Sequence, residues 1–195
     1  MASKRARLVV ALGVWAAATA GGLYTIAAHG AAPGAAPEAP ATLAGTLRTA
    51  GRPALVVAAH PACPCTRATF HELERILAHG AGDADVVILF AGGPKPDLVA
   101  SDLRGKAERM KGVRIVDDPR QELAKSLGAH TSGTVLFYDA SGALKFSGGI
   151  TPSRGHEGDN AGADTIRDLL SRAAATSGPH ATPVYGCSLH SKPTP

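Results

Sequence analysis

Apolar residues are distributed unevenly along the chain. Leu8 to Ala28 is a run of 21 residues without a charge. At about 1.5 Å rise per residue a helix of that length covers roughly the 30 Å of a bilayer core. The run has no polar stripe of the kind that marks an amphipathic soluble helix. Lys4, Arg5 and Arg7 flank its N-terminal side, which the positive-inside rule places in the cytoplasm. A membrane anchor over residues 1–29 is therefore predicted. The alternative is a cleaved signal segment, with Leu8–Ala16 as its apolar region and Ala18-Thr19-Ala20 as the cleavage site. Continuation of the apolar run through Leu23–Ala28 favours the anchor. Residues 30–41, GAAPGAAPEAPA, lack periodicity and read as a semi-stiff Ala/Pro linker.

Beyond the linker the pattern alternates. Pro53–Ala59 and Ala84–Ala91 are short valine-rich apolar runs and predict buried strands. Thr66–His79 carries Phe70, Leu73, Ile76 and Leu77 at helical spacing and ends at Gly80. Leu98–Lys111 and Arg120–Leu127 are predicted helices around a short strand, Val113–Asp117. Thr134–Tyr138 and Ala143–Gly148 predict a hairpin turning over Asp139-Ala140-Ser141-Gly142. Ala161–Ala175 closes the domain as a helix. Strand–helix alternation implies a parallel sheet portion covered on both faces, to which the hairpin adds antiparallel strands. The predicted class is α/β, a sandwich of a mixed central sheet flanked by helices, over residues 42–175. A Pro-rich tail, 176–195, carries Cys187.

Charge adds an exclusion. Three of the 20 Lys and Arg precede residue 8, leaving 17 against 16 Asp and Glu in the rest of the chain. The body lacks the cationic excess that replaces counterions on phosphates, so no nucleic-acid partner is expected. The pI near 9.2 belongs largely to the N-terminus.

The candidate chemistry sits directly after the first strand, in His60-Pro61-Ala62-Cys63-Pro64-Cys65-Thr66. Free N–H groups and the dipole at a helix N-terminus stabilise a thiolate and make its sulfur reactive. Pro64 suits the first turn, where its missing N–H costs nothing, and Cys63 is expected at the cap position. His60, three residues earlier, is a candidate to favour the thiolate. Cys187 is the odd cysteine of an exported chain. Its surroundings, Val184-Tyr185-Gly186-Cys187, form an apolar patch able to dock on the domain, so it is expected to resolve a disulfide with Cys63 or Cys65 or to dock the tail; a free or intermolecular thiol is the alternative. His156, in the polar loop 154–160, is a further candidate ligand.

The strand, cysteine pair with internal proline, helix and later hairpin resemble a membrane-tethered thioredoxin-like protein. More narrowly, HPACPCTRA, SGTVLFYDASGALKFSGGIT, RGHEGDN and VYGC resemble bacterial RedB proteins, over roughly Ala54 to Leu189. The resemblance implies a thioredoxin-like fold and redox chemistry. Two departures stand out. The cysteines are spaced Cys-x-Cys rather than Cys-x-x-Cys, and the smaller ring is more constrained. Where thioredoxins place a cis-proline before the hairpin, this chain has Gly133 after Ser132. That peptide strongly prefers trans, although glycine still permits close backbone approach.

Two functions are expected from different classes. The first is an exported, membrane-tethered thiol–disulfide oxidoreductase without a cofactor. In it Cys63 attacks a partner disulfide, Cys65 or Cys187 resolves it, and His60, Pro64, Ser132 and Gly133 line the site. Its partners would be protein thiols or disulfides of the periplasm. The second is a Cu(I)-binding chaperone using the soft ligands Cys63 and Cys65 with His156. A binding module with an inert structural disulfide is the third option. The expected location is the inner membrane, single pass, with the C-terminal domain in the periplasm, or the periplasm after signal cleavage. A C-terminal alkaline phosphatase fusion should accordingly be active. An inactive fusion beside an active cytoplasmic reporter would reverse the orientation.

Overall fold

The computed structural model describes residues 3–43, 45–92, 102–171 and 178–189. The chain divides into two units, Met1–Ala32 and Pro33–Pro195. The first is helix α1 (Lys4–Ala31), 28 residues with none buried. Among the described residues it is the one helix long and apolar enough to cross a membrane.

The second unit is built on a six-stranded mixed sheet. Its strands are β1 (Ala54–Ala59), β2 (Asp85–Ala91), β3 (Val113–Asp118), β4 (Thr134–Tyr138), β5 (Leu144–Gly148) and β6 (His180–Ala181), in the order β3-β2-β1-β4-β5-β6. The first three run parallel, β4 is antiparallel to β1, β5 is antiparallel to β4, and β6 lies parallel beside β5. Around them lie α2 (Cys65–Leu77), α3 (Asp102–Arg109), α4 (Glu122–Ser126) and α5 (Ala161–Leu170). The sequence-predicted elements are recovered. Residues 98–101 and 172–175 of two predicted helices lie outside the described residues.

Every residue of β1 and β4 is buried, as central strands covered on both faces require. Alternation along β1 sends Leu55, Val57 and Ala59 into a core with Phe70, Leu73, Ile76 and Ile166. Val56 and Ala58 face a second core with Leu43, Ala124, Leu127 and Leu189. The β4–β5 turn is closed by the Asp139 carboxylate, which accepts from the amides of Ser141 (2.9 Å) and Ala143 (3.0 Å).

Two segments read as spacer and tail are integrated into the fold. The Thr131 hydroxyl and the Tyr138 hydroxyl donate to the carbonyls of Ala35 (2.9 Å) and Pro40 (3.2 Å). The Glu38 amide donates to Gly128 O (2.9 Å). An extended Ala/Pro backbone has no periodic side chains to announce such docking; its carbonyls and amides do the pairing. At the other end, β6 adds a strand to the sheet, and Val184 and Leu189 are each 1% exposed.

The loop after β5 is fixed by a buried carboxylate. Glu72 of α2, whose side chain is fully buried, accepts from the Gly158 amide (2.7 Å) and pairs with Arg75 (3.1 Å). Glu72→Leu leaves that amide without its acceptor and the guanidinium with Asp159 alone. The urea midpoint should fall by the equivalent of about 1–3 kcal/mol, and an unchanged midpoint would show that the loop is held by other contacts.

Candidate functional site

A five-residue link, His60–Pro64, joins β1 to α2; it carries Cys63, and Cys65 opens the helix. It is folded tightly: the Cys63 amide donates to His60 O (3.1 Å), and the Ala62 amide donates to His60 Nδ1 (3.1 Å). Helix α2 starts at Cys65, with Pro64 at the cap position and no side-chain oxygen capping it. The expected cap residue, Cys63, thus lies one position earlier. The Thr66 amide donates to Cys63 O (3.1 Å), and Thr66 helps to lower the pKa of the Cys63 thiol.

Because β4 pairs with β1 in the register Ala58↔Thr134, the residues just before β4 stand beside the His60 link. The Gly133 amide donates to Ala58 O (2.8 Å), and Ser132 lies against Thr66. The His60 amide donates to Ser132 Oγ (2.8 Å), and Ser132 Oγ lies 2.7 Å from Thr66 Oγ1. Gly133 has φ +91°, and a Cβ there would lie 2.9 Å from Thr69 Oγ1, so glycine suits the position on both counts. All peptide bonds among the described residues are trans.

The third cysteine arrives from the C-terminus. The segment after β6 runs back to the start of β4 and pairs with it: the Ser132 amide donates to Cys187 O (2.8 Å) and the Leu189 amide to His130 O (2.8 Å), with Thr131 and Ser188 bridged antiparallel. The Gln121 side chain, from a backbone with φ 59°, donates to Leu189 O (2.7 Å). Arg154 donates to Gly186 O. These bonds bring the sulfurs of Cys63, Cys65 and Cys187 within 4.8 Å of one another, all as free thiols. The Cys187 amide donates to the Cys63 sulfur (3.4 Å).

The three thiols are electrostatically unequal. Burial works against ionisation of Cys63, but hydrogen bonds from the thiol and amide of Cys187 and from Thr66 outweigh it, so its pKa lies below that of an ordinary cysteine. Burial and the adjoining Cys63 sulfur push Cys65 up, with Arg154 partly opposing. The same causes push Cys187 up to about 12. Ionisation is thus favoured at Cys63 over Cys65 and Cys187.

The cluster joins Cys63, Cys65 and Cys187 beside Pro64, Ser132 and Gly133. His60 contributes to the link rather than to the charge, because burial keeps its pKa below the usual value. The structure does not bring His156 to the sulfurs. Its Nδ1 lies 2.8 Å from Arg154 O, within a turn bridged between Ser153 and His156. Sequence reading passed over Thr66 and Arg154. The first was legible as the residue one step inside the helix after Cys65. The second lies in the same polar loop as His156, and no local pattern distinguishes the two.

No protein-family model matches the chain, and no curated protein matches it. Among solved structures it is similar to an uncharacterized conserved protein from Geobacillus kaustophilus, with TM-score 0.56 and 18% identity, covering 85% of this chain and 95% of that one. A hypothetical protein from Sinorhizobium meliloti 1021 gives TM-score 0.54 and 19% identity over 76% of this chain and 96% of that one. The pneumococcal exposed lipoprotein thioredoxin of Streptococcus pneumoniae gives 0.44 and 21% over 63% and 85%. With three parallel strands, an antiparallel hairpin beyond β1 and a cysteine pair where β1 leads into α2, the chain has a thioredoxin-like fold.

Proposed function

We propose that the protein is an exported, membrane-tethered thiol–disulfide oxidoreductase of RedB type. The observation that carries this reading is the asymmetry within the sulfur cluster. A thiol whose pKa is lowered sits at a helix start, with two further thiols within 4.8 Å whose pKa values are raised. Thiol–disulfide exchange needs a thiolate that attacks or leaves easily and a second thiol close enough to close the bridge. Cys63 fills the first role and Cys65 or Cys187 the second. The substrates are protein thiols or disulfides on the exported side, and the redox cycle itself requires no cofactor. Pro64, Ser132, Gly133 and His60 shape the rim of the site, and Arg154 supplies its positive charge.

The three-sulfur geometry also favours a second reading, Cu(I) binding. Three thiolates converging at this distance form a soft donor set suited to Cu(I). The ligands in that reading are Cys63, Cys65 and Cys187, with the third cysteine in the place first considered for His156.

For the redox reading, mild oxidation of the full chain should place Cys63 in a disulfide with Cys65 or Cys187, read by peptide mass mapping without reductant. In the reduced chain, thiolate absorbance should grow in first at a pH below the free-cysteine value of roughly 8.5. Cys187 should ionise only in strongly alkaline solution, and the early step should vanish in Cys63→Ser. Three free thiols after oxidation would remove the redox reading. For the copper reading, anaerobically reduced protein should take up one Cu(I), with uptake falling sharply in Cys65→Ser and in Cys187→Ser but little in His156→Ala. Redox cycling without Cu(I) uptake would eliminate it.

A further inference from the structure

The sulfur that ionises most easily is the one a partner cannot reach. Cys63 is 1% exposed, and the backbone of Gly186–Cys187 lies across it, with the Cys187 amide 3.4 Å from its sulfur. Cys187 is exposed. The covering segment is a fixed strand and not a loose arm. It is held by the pairing of 187 and 189 with 132 and 130, by Gln121 on Leu189 O, by Arg154 on Gly186 O, and by burial of Val184 and Leu189 on either side. Gly186 fits so tightly that a Cβ on it would lie 1.9 Å from Ser132 O. The backbone edge of residues 130–132, which could otherwise pair with an extended partner segment, is taken by the chain's own residues 187–189.

The geometry points to Cys187 as the sulfur that exchanges with protein partners, and to Cys63 as an internal thiol that meets only Cys187 or Cys65. This rests on the redox reading and specifies its route. In the oxidised protein with a Cys63–Cys187 disulfide, a thiolate of a dithiol partner attacks the Cys187 sulfur. The Cys63–Cys187 bond breaks, a partner–Cys187 disulfide forms, and Cys63 leaves as a thiolate at the start of α2. The partner's second thiolate then attacks the partner sulfur of that mixed disulfide and expels Cys187, which takes up a proton. The partner loses two electrons to become a disulfide, and Cys63 and Cys187 gain them. A disulfide-bearing oxidant of the same compartment restores the bridge by the same exchange in reverse.

The test is oxidation of the full chain followed by a synthetic peptide with a single cysteine, which can form a mixed disulfide but cannot resolve it. Mapping should find the peptide on Cys187 in roughly tenfold excess over Cys63 and Cys65, because exchange depends on access to the attacked sulfur. A peptide found mainly on Cys63 or Cys65 would overturn the assignment and leave the redox reading standing. Failure of the chain to form any disulfide would overturn both. Gly186→Ala, which forces the strand away from Ser132, supplies a second readout: Cys63 of the reduced variant should react with iodoacetamide several-fold faster than in the parent chain. Equal rates would show that the strand does not shield Cys63.

Discussion

A sulfur removed from water ionises only if other donors replace the solvent. The site depends on that constraint at Cys63. Its surroundings come from three separated parts of the sequence: Thr66 from the first turn of α2, Ser132 against Thr66 from just before β4, and the Cys187 amide, which donates to the sulfur, from the C-terminal segment. The fold serves to hold these parts in register. β1 and β4 fix the position of Ser132 relative to the His60 link, and the pairing of 187–189 with 130–132 fixes Cys187 relative to both.

The same arrangement divides labour among chemically identical groups. A lone cysteine at a helix start relies on the helix for its thiolate. Here two further cysteines are themselves donors, so stabilising one sulfur's charge keeps protons on the other two. Arg154 offsets this partly for Cys65 and Cys187 while its guanidinium also grips Gly186 O. The loop bearing Arg154 is in turn moored to α2 by Glu72. The cluster is thus linked through hydrogen bonds to both faces of its own helix.

Much of this was legible in the sequence. Strands β1, β2 and β4 are apolar runs buried on both faces, and such runs cannot be mistaken for polar loops. The periodicity of Phe70, Leu73 and Ile76 marks α2, and the two cysteines at its start mark the site. What stayed hidden has a common physical origin. Docking of residues 34–41 and of 187–189 is done by backbone N–H and C=O groups, which every residue carries and no side-chain pattern reports. In the loop 154–160 the histidine carries the metal-ligand pattern, whereas what the loop brings to the cysteines is the charge of Arg154. The apolar patch around Val184 did announce that the tail touches the domain, but not that it would add a strand and lie over Cys63.

The contact between Cys187 and Cys63 joins residues 124 positions apart. Contacts so distant along the chain form only after the intervening segments have met. As the chain emerges N-terminus first, β1, α2 and their two cysteines are present long before the residues that cover them. During that interval the cysteine pair is uncovered, and Cys63 lacks the amide of Cys187 as a donor. Maturation of the site is therefore a matter of timing as well as geometry: the last dozen described residues turn an open cysteine pair into a sealed three-thiol centre.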